Sequence, residues 1–416
     1  MTSGTARAVP TVLREADHVV GWSELRRRSD DLRRRLEEAR PTAVAARVPG
    51  GLALVTLLLA ARGMDTNVLI TGSGAQDTTL ASLGMDVVVE PADAPAGFTV
   101  RRLSGPAASA PKADGSGLWL LSSGTTGEPK PTHWPWPRLA TGEWGSGREH
   151  WAIGYASHSF AGVSATCQAL GRAAGIEFVR PAELASPPPD AVPLTVAAAT
   201  PSFWRRAAIA TQDTDRFRQV DTVTLGGEPA DASLLRLLRE IVTPRRIKQI
   251  FGTTELGTVI HTTDGRAGLP EALRGVRLPG GAAFDVRDER LSVSLAPGAP
   301  YVETGDLVRI ADGRVHIVGR DGVFVNVGGL KANPYRVAQV LQQHTSVLAA
   351  RAFGLRSPLL GQVVAADVVV RDRRDPPTVI RELKRYATDL LEAHERPQRI
   401  RLVESLAVAE SGKVQL

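Results

Sequence analysis

Lysine, cysteine and aromatic residues are scarce in this chain of 416 residues. Only six of its 50 basic residues are lysine, namely Lys112, Lys130, Lys248, Lys331, Lys384 and Lys413. A lysine in a chain that otherwise uses arginine indicates a position where a compact point charge is needed. Aromatic residues make up only 5% of the chain, so alanine, valine and leucine must fill most of the core.

The single cysteine and the lack of a long apolar run exclude several classes of protein. Cys167 cannot build a disulfide framework or a cysteine-rich metal site, and we expect it to be a small buried residue. The most apolar run, at 52–61, is too short to cross a bilayer. The first 20 residues lack an apolar segment behind a basic start. We therefore expect no signal peptide, no membrane partner and a cytoplasmic enzyme.

The charge balance is nearly even for a chain of this length. The net charge is +6, and the sequence pI is about 9.8. Basic pI alone does not predict nucleic-acid binding, and no platform of interleaved aromatic and basic residues is present. We expect no nucleic-acid partner. The length indicates two to four domains at about 100–200 residues each.

Alternating helices and strands predict an α/β fold with parallel strands. We expect helices at 22–39, 52–62, 201–210, 232–242, 336–344 and 379–394, and strands at 68–71, 87–90, 118–121, 194–199, 220–225, 247–251 and 363–370. Residues 91–117 are predicted to form a loop, and 128–150, with four prolines and three tryptophans, to be irregular. From about residue 280, short strands and Asp-Gly turns replace the alternation.

One segment after a predicted strand has the composition of a phosphate-binding loop. It reads Ser122-Ser123-Gly124-Thr125-Thr126-Gly127-Glu128-Pro129-Lys130. Glycine and small hydroxyl residues allow backbone N–H and side-chain O–H groups to converge on phosphate oxygens, and lysine adds charge. It is not a Walker A loop, because Pro129 separates Gly127 from Lys130. Taken alone, the segment also fits an ordinary surface turn.

This segment and four later motifs together resemble the adenylate-forming superfamily of acyl- and aryl-CoA synthetases, acyl-AMP ligases, peptide-synthetase adenylation domains and luciferases. The later motifs, in the superfamily's order, are Gly226-Gly227-Glu228-Pro229, Phe251-Gly252-Thr253-Thr254-Glu255, Thr304-Gly305-Asp306, and Gly319-Arg320 followed by the loop from Asn326 to Lys331. Ser411-Gly412-Lys413 resembles the terminal lysine motif. The resemblance covers roughly residues 20–416.

The resemblance implies a compact variant with a large adenylating domain of mixed and parallel sheets and a small α+β domain that rotates about a hinge. The expected domains are 1–320 and 323–416, with the hinge near 321–322. The usual hinge residue is acidic, whereas this chain has Gly322. Between two half-reactions, rotation would replace Lys413 by the loop that carries Lys331.

The resemblance also assigns roles to individual residues. Residues 122–130 would grip the β- and γ-phosphates of ATP, the turn 226–229 and Phe251 would flank adenine, and Asp306 and Arg320 would bind ribose or phosphate. Mg²⁺ would be held by Glu255 with Thr125. The catalytic residues would be Lys413, Glu255 and Thr254, with Lys413 bridging the substrate carboxylate and the α-phosphate. Read singly, each acid would more often be a surface residue.

The acid pocket is predicted from a second set of residues. His158, Phe160 and Gly162 resemble the aromatic-His-x-x-Gly stretch of CoA ligases, although a structural histidine is an alternative. Amino-acid-activating relatives place aspartate where this chain has Ala161, which disfavours an α-amino acid. Leu225, the turn glycines, Thr253, Leu256 and Gly257 would form an apolar wall that suits an aryl or short acyl acid.

The sequence therefore predicts ATP-dependent formation of an acyl-AMP from a small carboxylic acid, with release of pyrophosphate and transfer to a thiol, of which CoA is favoured. One alternative is an acyl-AMP ligase that delivers the acyl group to a carrier-protein phosphopantetheine or to an amine. Another is a non-catalytic nucleotide-binding homologue. The oligomeric state is expected to be monomer or homodimer.

Overall fold

The computed structural model describes residues 12–92, 97–104, 113, 115–122, 130–139, 143–145, 147–187, 191–210, 217–371, 375–409 and 413–414. Its contacts divide the chain into two units. Unit 1 comprises 1–180, 190–199 and 220–222. Unit 2 comprises 181–189, 200–219 and 223–416. The division at 321–322 that the sequence suggests is a different partition and stays a prediction.

Unit 1 contains two sheets and the helices that cover them. Its strands are β1 (Val12–Glu15), β2 (His18–Gly21), β3 (Val44–Arg47), β4 (Val68–Thr71), β5 (Val87–Pro91), β6 (Phe98–Arg102), β7 (Gly117–Leu121), β8 (Pro131–Pro135), β9 (Glu149–Ile153), β10 (Ala173–Phe178) and β11 (Leu194–Ala199). Its helices are α1 (Trp22–Ala39), α2 (Gly51–Ala61), α3 (Asp77–Ser82), α4 (Trp136–Leu139) and α5 (Phe160–Leu170).

The strand order in unit 1 is β6-β5-β3-β4-β7-β8 in one sheet and β11-β9-β10-β1-β2 in the other. The inner pairs are parallel and the outermost pairs β5–β6, β7–β8 and β1–β2 are antiparallel. Helix α1 buries Leu25, Leu32 and Leu36, which share one helical face. Helix α2 is apolar on all sides and nearly all of it is buried. The predicted alternation of helices and parallel strands is confirmed in this unit.

Two predictions for unit 1 are wrong in part. The supposed loop at 91–117 contains β6, which pairs antiparallel with β5. The supposedly irregular stretch contains β8, α4 and the start of β9. Prolines stand at both ends of β8, and proline is tolerated there because β8 is the last strand in its sheet order.

Unit 2 contains the remaining elements. Its strands are β12 (Val220–Gly226, of which 220–222 belong to unit 1), β13 (Arg246–Thr253), β14 (Gly257–Thr262), β15 (Leu269–Pro270), β16 (Ala283–Arg287), β17 (Arg290–Ser294), β18 (Val302–Ala311), β19 (Arg314–Arg320), β20 (Val325–Val327), β21 (Leu330–Ala332), β22 (Val347–Ser357), β23 (Gly361–Val370) and β24 (Arg399–Leu402). Its helices are α6 (Pro181–Ala185), α7 (Pro201–Ala210), α8 (Ala232–Ile241), α9 (Pro334–Gln343) and α10 (Pro376–Leu390).

The strands of unit 2 follow a different order from the chain order. Strands β14-β13-β12 are neighbours, β15-β19-β18-β17-β16 form an antiparallel sheet, and β21-β20-β23-β22 form the carboxy-terminal sheet, with β24 parallel to β23. Strand β22 was not predicted, and the helix expected at 379–394 spans Pro376–Leu390 instead. In the described part of the chain, no helix combines the length and apolar character needed to cross a membrane.

Candidate active site

The first element of the site is the turn after β12, which contains Gly227. Gly227 has φ +82°, a left-handed conformation that favours glycine. A Cβ atom built on Gly227 would lie 3.5 Å from Lys413 Cε and 3.9 Å from Nζ. The side chain of Lys413 therefore lies over this turn, although the two residues are far apart in sequence.

Glu228 joins three separate segments of unit 2. Its Oε2 accepts a hydrogen bond from Ser202 N at 2.8 Å, and its Oε1 accepts one from Ser202 Oγ at 2.8 Å. The same Oε1 accepts from Val414 N at 3.3 Å. Glu228 thus binds the first turn of α7 and also the residue that follows Lys413.

Lys413 is half-buried among charged side chains. Burial lowers the pKa of Lys413 below its ordinary value, and the cation of Arg320 lowers it further. The carboxylates of Glu228, Asp306 and Glu255 act in the opposite direction and raise the pKa. The ammonium group therefore has three anions and one cation within electrostatic reach.

Asp306 and Arg320 are paired across neighbouring strands β18 and β19. Arg320 Nε donates to Asp306 Oδ1 at 3.0 Å, and Thr304 Oγ1 donates to Asp306 Oδ2 at 2.9 Å. Asp306 is buried, whereas the Arg320 side chain is 31% exposed. Each carboxylate oxygen retains acceptor capacity beyond these bonds, because an ionised carboxylate offers about four lone-pair sites.

A tight hairpin between β13 and β14 carries Glu255. Thr253 Oγ1 accepts a hydrogen bond from Leu256 N at 3.1 Å, which closes the turn. Glu255 is exposed, whereas Phe251 and Leu256 pack against an apolar cluster of unit 2. Among the residues that the structure describes, no group of three or more His, Cys, Asp or Glu side chains could hold a metal ion. One exposed carboxylate nevertheless fits Mg²⁺ that is bound mainly by phosphates, as is common for this ion.

The comparisons with known proteins agree with this arrangement. The family model described as AMP-binding enzyme matches residues 15–308, and that described as AMP-binding enzyme C-terminal domain matches 336–413. The chain belongs to the AMP-binding enzyme family. The resemblance to adenylate-forming enzymes is therefore confirmed.

Individual relatives of this AMP-binding chain are distant. The medium/long-chain-fatty-acid–CoA/3-oxocholest-4-en-26-oate–CoA ligase of Mycolicibacterium smegmatis is 30% identical over 168 residues, which is 39% of this chain and 30% of that one. The chain thus matches about a third of the length of that curated relative.

Two solved structures share the fold. The anthranilate CoA ligase AuaEII superposes with a TM-score of 0.73 at 16% identity, covering 99% of this chain and 93% of that one. The amide bond synthetase McbA from Marinactinospora thermotolerans superposes with a TM-score of 0.67 at 20% identity, covering 98% and 96%. The predicted fold class, with a large amino-terminal and a smaller carboxy-terminal domain, is confirmed.

The predicted loop of this AMP-binding enzyme lies largely outside the described residues. Ser123, Gly124, Thr125, Thr126, Gly127 and Pro129 are among those not described. At its two ends, Ser122 N donates to Lys130 O at 3.0 Å, and Ser122 is buried whereas Lys130 is exposed.

The predicted pocket residues His158, Phe160 and Gly162 belong to unit 1. Ser159 caps α5 by accepting from Gly162 N at 3.0 Å, and the ring centroid of Phe160 lies 4.8 Å from that of Trp134. Phe160 and Gly162 therefore have structural contacts of their own. Their role, and that of His158, towards a substrate stays a prediction.

Lys331 lies on the exposed β20–β21 hairpin. Its Nζ is 5.3 Å from the ring centroid of Phe324, and Gly329 N donates to Asn326 Oδ1 at 3.0 Å. The role of Lys331 in a second half-reaction stays a prediction.

Sequence reasoning missed Ser202, which bonds to Glu228, and Tyr335, whose phenol lies near the same charges, as well as Arg205 one turn after Ser202. Ser202 and Arg205 lie on α7, and Tyr335 lies at the start of α9. Burial raises the pKa of the Tyr335 phenol, with smaller influences from Arg320, Asp306 and Glu228, so the phenol lies within reach of the same charges. No motif marks these positions. Only a serine at the start of a predicted helix could have indicated Ser202.

Proposed function

We propose that this chain activates a carboxylic acid with ATP to give an acyl-AMP and pyrophosphate, and then transfers the acyl group to a thiol. The observation that carries the proposal is that the side chain of Lys413 lies over the turn at Gly227, within electrostatic reach of Glu228, Asp306 and Arg320. In the first step a carboxylate oxygen bonds to the α-phosphorus as the bond to pyrophosphate breaks. A protonated lysine between the two reacting anions stabilises the charge that they bring together.

Other residues of unit 2 supply the nucleotide contacts in this proposal. Asp306, fixed by Arg320 and Thr304, would accept from the ribose hydroxyl groups, and Phe251 with the turn 226–229 would flank adenine. Glu255 would hold Mg²⁺, whose charge neutralises phosphate oxygens when it is bound. Thr254 would lie near the α-phosphate, and residues 122–130 would hold the outer phosphates.

In the second step, a thiol would attack the acyl carbonyl, AMP would leave, and the thiol proton would be released. We propose that residues 323–416 rotate about 321–322 between the steps, which exchanges Lys413 for Lys331. Gly322 is exposed, has φ +81°, and a Cβ there would meet nothing within 4 Å. This residue therefore imposes no packing contact that resists rotation.

An aryl or short acyl acid and CoA are the proposed substrates. The supporting features are Ala161, which offers no carboxylate for a substrate ammonium, and the uncharged residues Leu225, Thr253 and Leu256. Carrier-protein phosphopantetheine and amines are the alternative acceptors, and a homologue without catalysis is the alternative of another class. A monomer or homodimer in the cytoplasm completes the proposal.

A product screen tests the proposal. The purified chain is incubated with ATP, Mg²⁺ and a panel of aryl and short acyl acids, with and without CoA, and products are identified by mass spectrometry. We expect acyl-AMP and pyrophosphate without CoA and acyl-CoA with it. Acyl-AMP that persists with CoA but is consumed by a phosphopantetheinylated carrier or an amine would support the alternative acceptors. Absence of pyrophosphate with every acid would contradict adenylation.

A further inference from the structure

Helix α7 is bonded to the carboxy-terminal region directly through Arg205 and indirectly, by way of Glu228, through Ser202. Ser202 and Arg205 are three residues apart and therefore project from the same side of the helix. Ser202 binds Glu228, which in turn accepts from Val414 N. Arg205 Nη1 donates to Leu348 O at 2.7 Å, in β22. The same helix thus bonds both the residue after Lys413, through Glu228, and the sheet of the same region.

Arg205 is a buried cation that is paired with a carboxylate. It is 7% exposed. Its Nη2 donates to both carboxylate oxygens of Asp231 at 2.8 Å and to Ser233 Oγ at 2.9 Å. Asp231 also accepts from Leu234 N at 2.9 Å and so caps α8. The positive charge of Arg205 is therefore neutralised by Asp231, which precedes the carboxy-terminal region in the chain.

The acceptor in β22 is a backbone carbonyl at an irregular position. The register between β22 and β23 shifts between Val347 and Ala349, so Leu348 lies at a bulge. The extra residue of a bulge is not paired in the ladder. The carbonyl of Leu348 is consequently available to Arg205. At this point a hydrogen bond to a neutral acceptor joins α7 to β22 of the carboxy-terminal region.

This arrangement is suited to a contact that forms and breaks. If β22 moves away, the ion pair of Arg205 with Asp231 remains intact and only the bond to Leu348 O is lost. If a buried ion pair joined α7 to β22 instead, separating the two elements would leave a buried charge without its partner, at a much larger cost in free energy.

We propose that Arg205 is a positioning residue for adenylation, because its bond to Leu348 O holds the carboxy-terminal region in the orientation that places Lys413 beside Glu228. The expected fall in kcat rests on the proposed function, whereas the inferred effect of Arg205 on the position of Lys413 does not. Without the bond, a smaller fraction of molecules has Lys413 in place. The kcat of adenylation then falls with that fraction, while the KM for ATP changes little.

The chain offers a matched control in a second contact between the carboxy-terminal region and the preceding part of the chain. Arg371 Nη2 lies 3.3 Å from Glu240 Oε2, joining the region of β23 to α8. Both side chains are exposed, at 40% and 53%. Exposed pairs of this kind contribute little. The Arg371→Gln variant should therefore behave as wild type. This result would show that the buried bond of Arg205 is needed, and that loss of an exposed ion pair to the carboxy-terminal region has no such effect.

The test uses the double variant Arg205→Met with Asp231→Asn, alongside Asp231→Asn alone and Arg371→Gln. Removing both charges leaves no unpaired buried ion, and asparagine still caps α8. Two quantities are measured: pyrophosphate release with the best acid of the product screen, and hydrogen–deuterium exchange of the peptide containing Val414 in the ligand-free protein. Arg205→Lys, which keeps the charge beside Asp231, serves as the conservative variant.

We expect the double variant to lower the kcat of adenylation about 10- to 100-fold, as loss of a hydrogen bond from a charged donor predicts, with the KM for ATP within about twofold. The Val414 peptide should exchange faster, and Arg205→Lys should recover part of both losses. Unchanged kcat and unchanged exchange in the double variant would overturn the proposal. So would a lower kcat with wild-type exchange. If wild type releases no pyrophosphate, adenylation has failed, and exchange alone decides the role of Arg205.

Discussion

Two sets of charged side chains, one around α2 in unit 1 and one around Lys413 in unit 2, have different partners. In unit 1, Glu15 accepts from Gly51 N at 2.9 Å and Leu52 N at 3.0 Å, at the start of α2. At the other end of α2, Arg33 donates to three carbonyl groups at 2.7–3.2 Å. Helix α2 has no acidic residue in its first turn and no basic residue in its last. Side chains from other elements therefore satisfy the backbone groups at both of its ends.

In unit 2, one set of charged groups instead converges on a single lysine. Glu228, Asp306, Glu255 and Arg320 all influence the pKa of Lys413. Such clustering brings like charges together, which is costly for folding and useful where an anionic substrate must bind. The comparison predicts that removing the charge of Glu15 changes the stability of unit 1, whereas removing a charge around Lys413 changes the proposed chemistry.

The largest expected effect is that of Lys413→Ala. Loss of a preorganised cation at the reacting carboxylate and α-phosphate should lower kcat for pyrophosphate release at least about 100-fold. Lys384→Ala is the control, because Lys384 is exposed and donates to Gln398 O at 3.0 Å in the carboxy-terminal sheet region. Equal activity of the Lys413→Ala variant and wild type would remove the central residue from the proposed mechanism.

The next effect is a pair of opposite shifts in pH dependence. In the proposed mechanism adenylation requires protonated Lys413, so activity should fall as pH rises through the pKa of Lys413. Glu228 raises that pKa, so Glu228→Gln should move the alkaline limb to lower pH. Arg320 lowers it, so Arg320→Gln should move the limb to higher pH. Initial rates of pyrophosphate release between pH 6 and 10.5 measure both shifts.

Glu37→Gln is the control for these pH profiles, because Glu37 is exposed on α1 in unit 1. Shifts of the same sign in Glu228→Gln and Arg320→Gln would mean that another group governs the alkaline limb.

The elements that sequence reasoning predicted well are those specified by local pattern. Helix α1 matches its predicted bounds, because leucines on one face and pairs of glutamate and arginine at helical spacing act within the segment. Strand β22 was missed, since it depends on its long antiparallel pairing with β23. Strand β8 was missed because its prolines mask a strand that is stable only at a sheet edge.

The same distinction applies to the candidate site. Glu228, Asp306 and Lys413 stand in recognisable motifs, and the structure places their charges within reach of one another. Arg205 stands in no motif, and its partner Leu348 is 143 positions away. Nothing local to α7 specifies that a carbonyl at a bulge of β22 will lie beside it. Contacts of this range become visible only in the folded chain.

A smaller effect is expected from Glu15→Ala in unit 1. Loss of the cap on α2 should reduce the free energy of unfolding by about 0.5–2 kcal/mol. Six of the seven tryptophans lie in unit 1, so urea denaturation followed by tryptophan fluorescence mainly reports on this unit. The pH profile of adenylation should not move, with Glu37→Gln again as control. A shifted profile in Glu15→Ala would break the contrast between the two units.

The smallest effect concerns Cys167, the single cysteine, which is fully buried in α5 of unit 1. Burial raises the pKa of its thiol to about 12. At pH 8 the thiolate, the reactive form, is therefore almost absent in the folded protein, and alkylation by iodoacetamide must await opening of unit 1. We expect negligible labelling of wild type, measured by intact mass, and faster labelling of Glu15→Ala.

The control Lys413→Ala should be labelled as slowly as wild type, because Lys413 lies in unit 2 and Cys167 in unit 1. Cys167→Ala should keep adenylation within about twofold, since the thiol lies in the apolar core of unit 1. Fast labelling of native wild type would contradict the burial argument, whereas equal labelling of all variants would show that the α2 cap does not limit opening of unit 1.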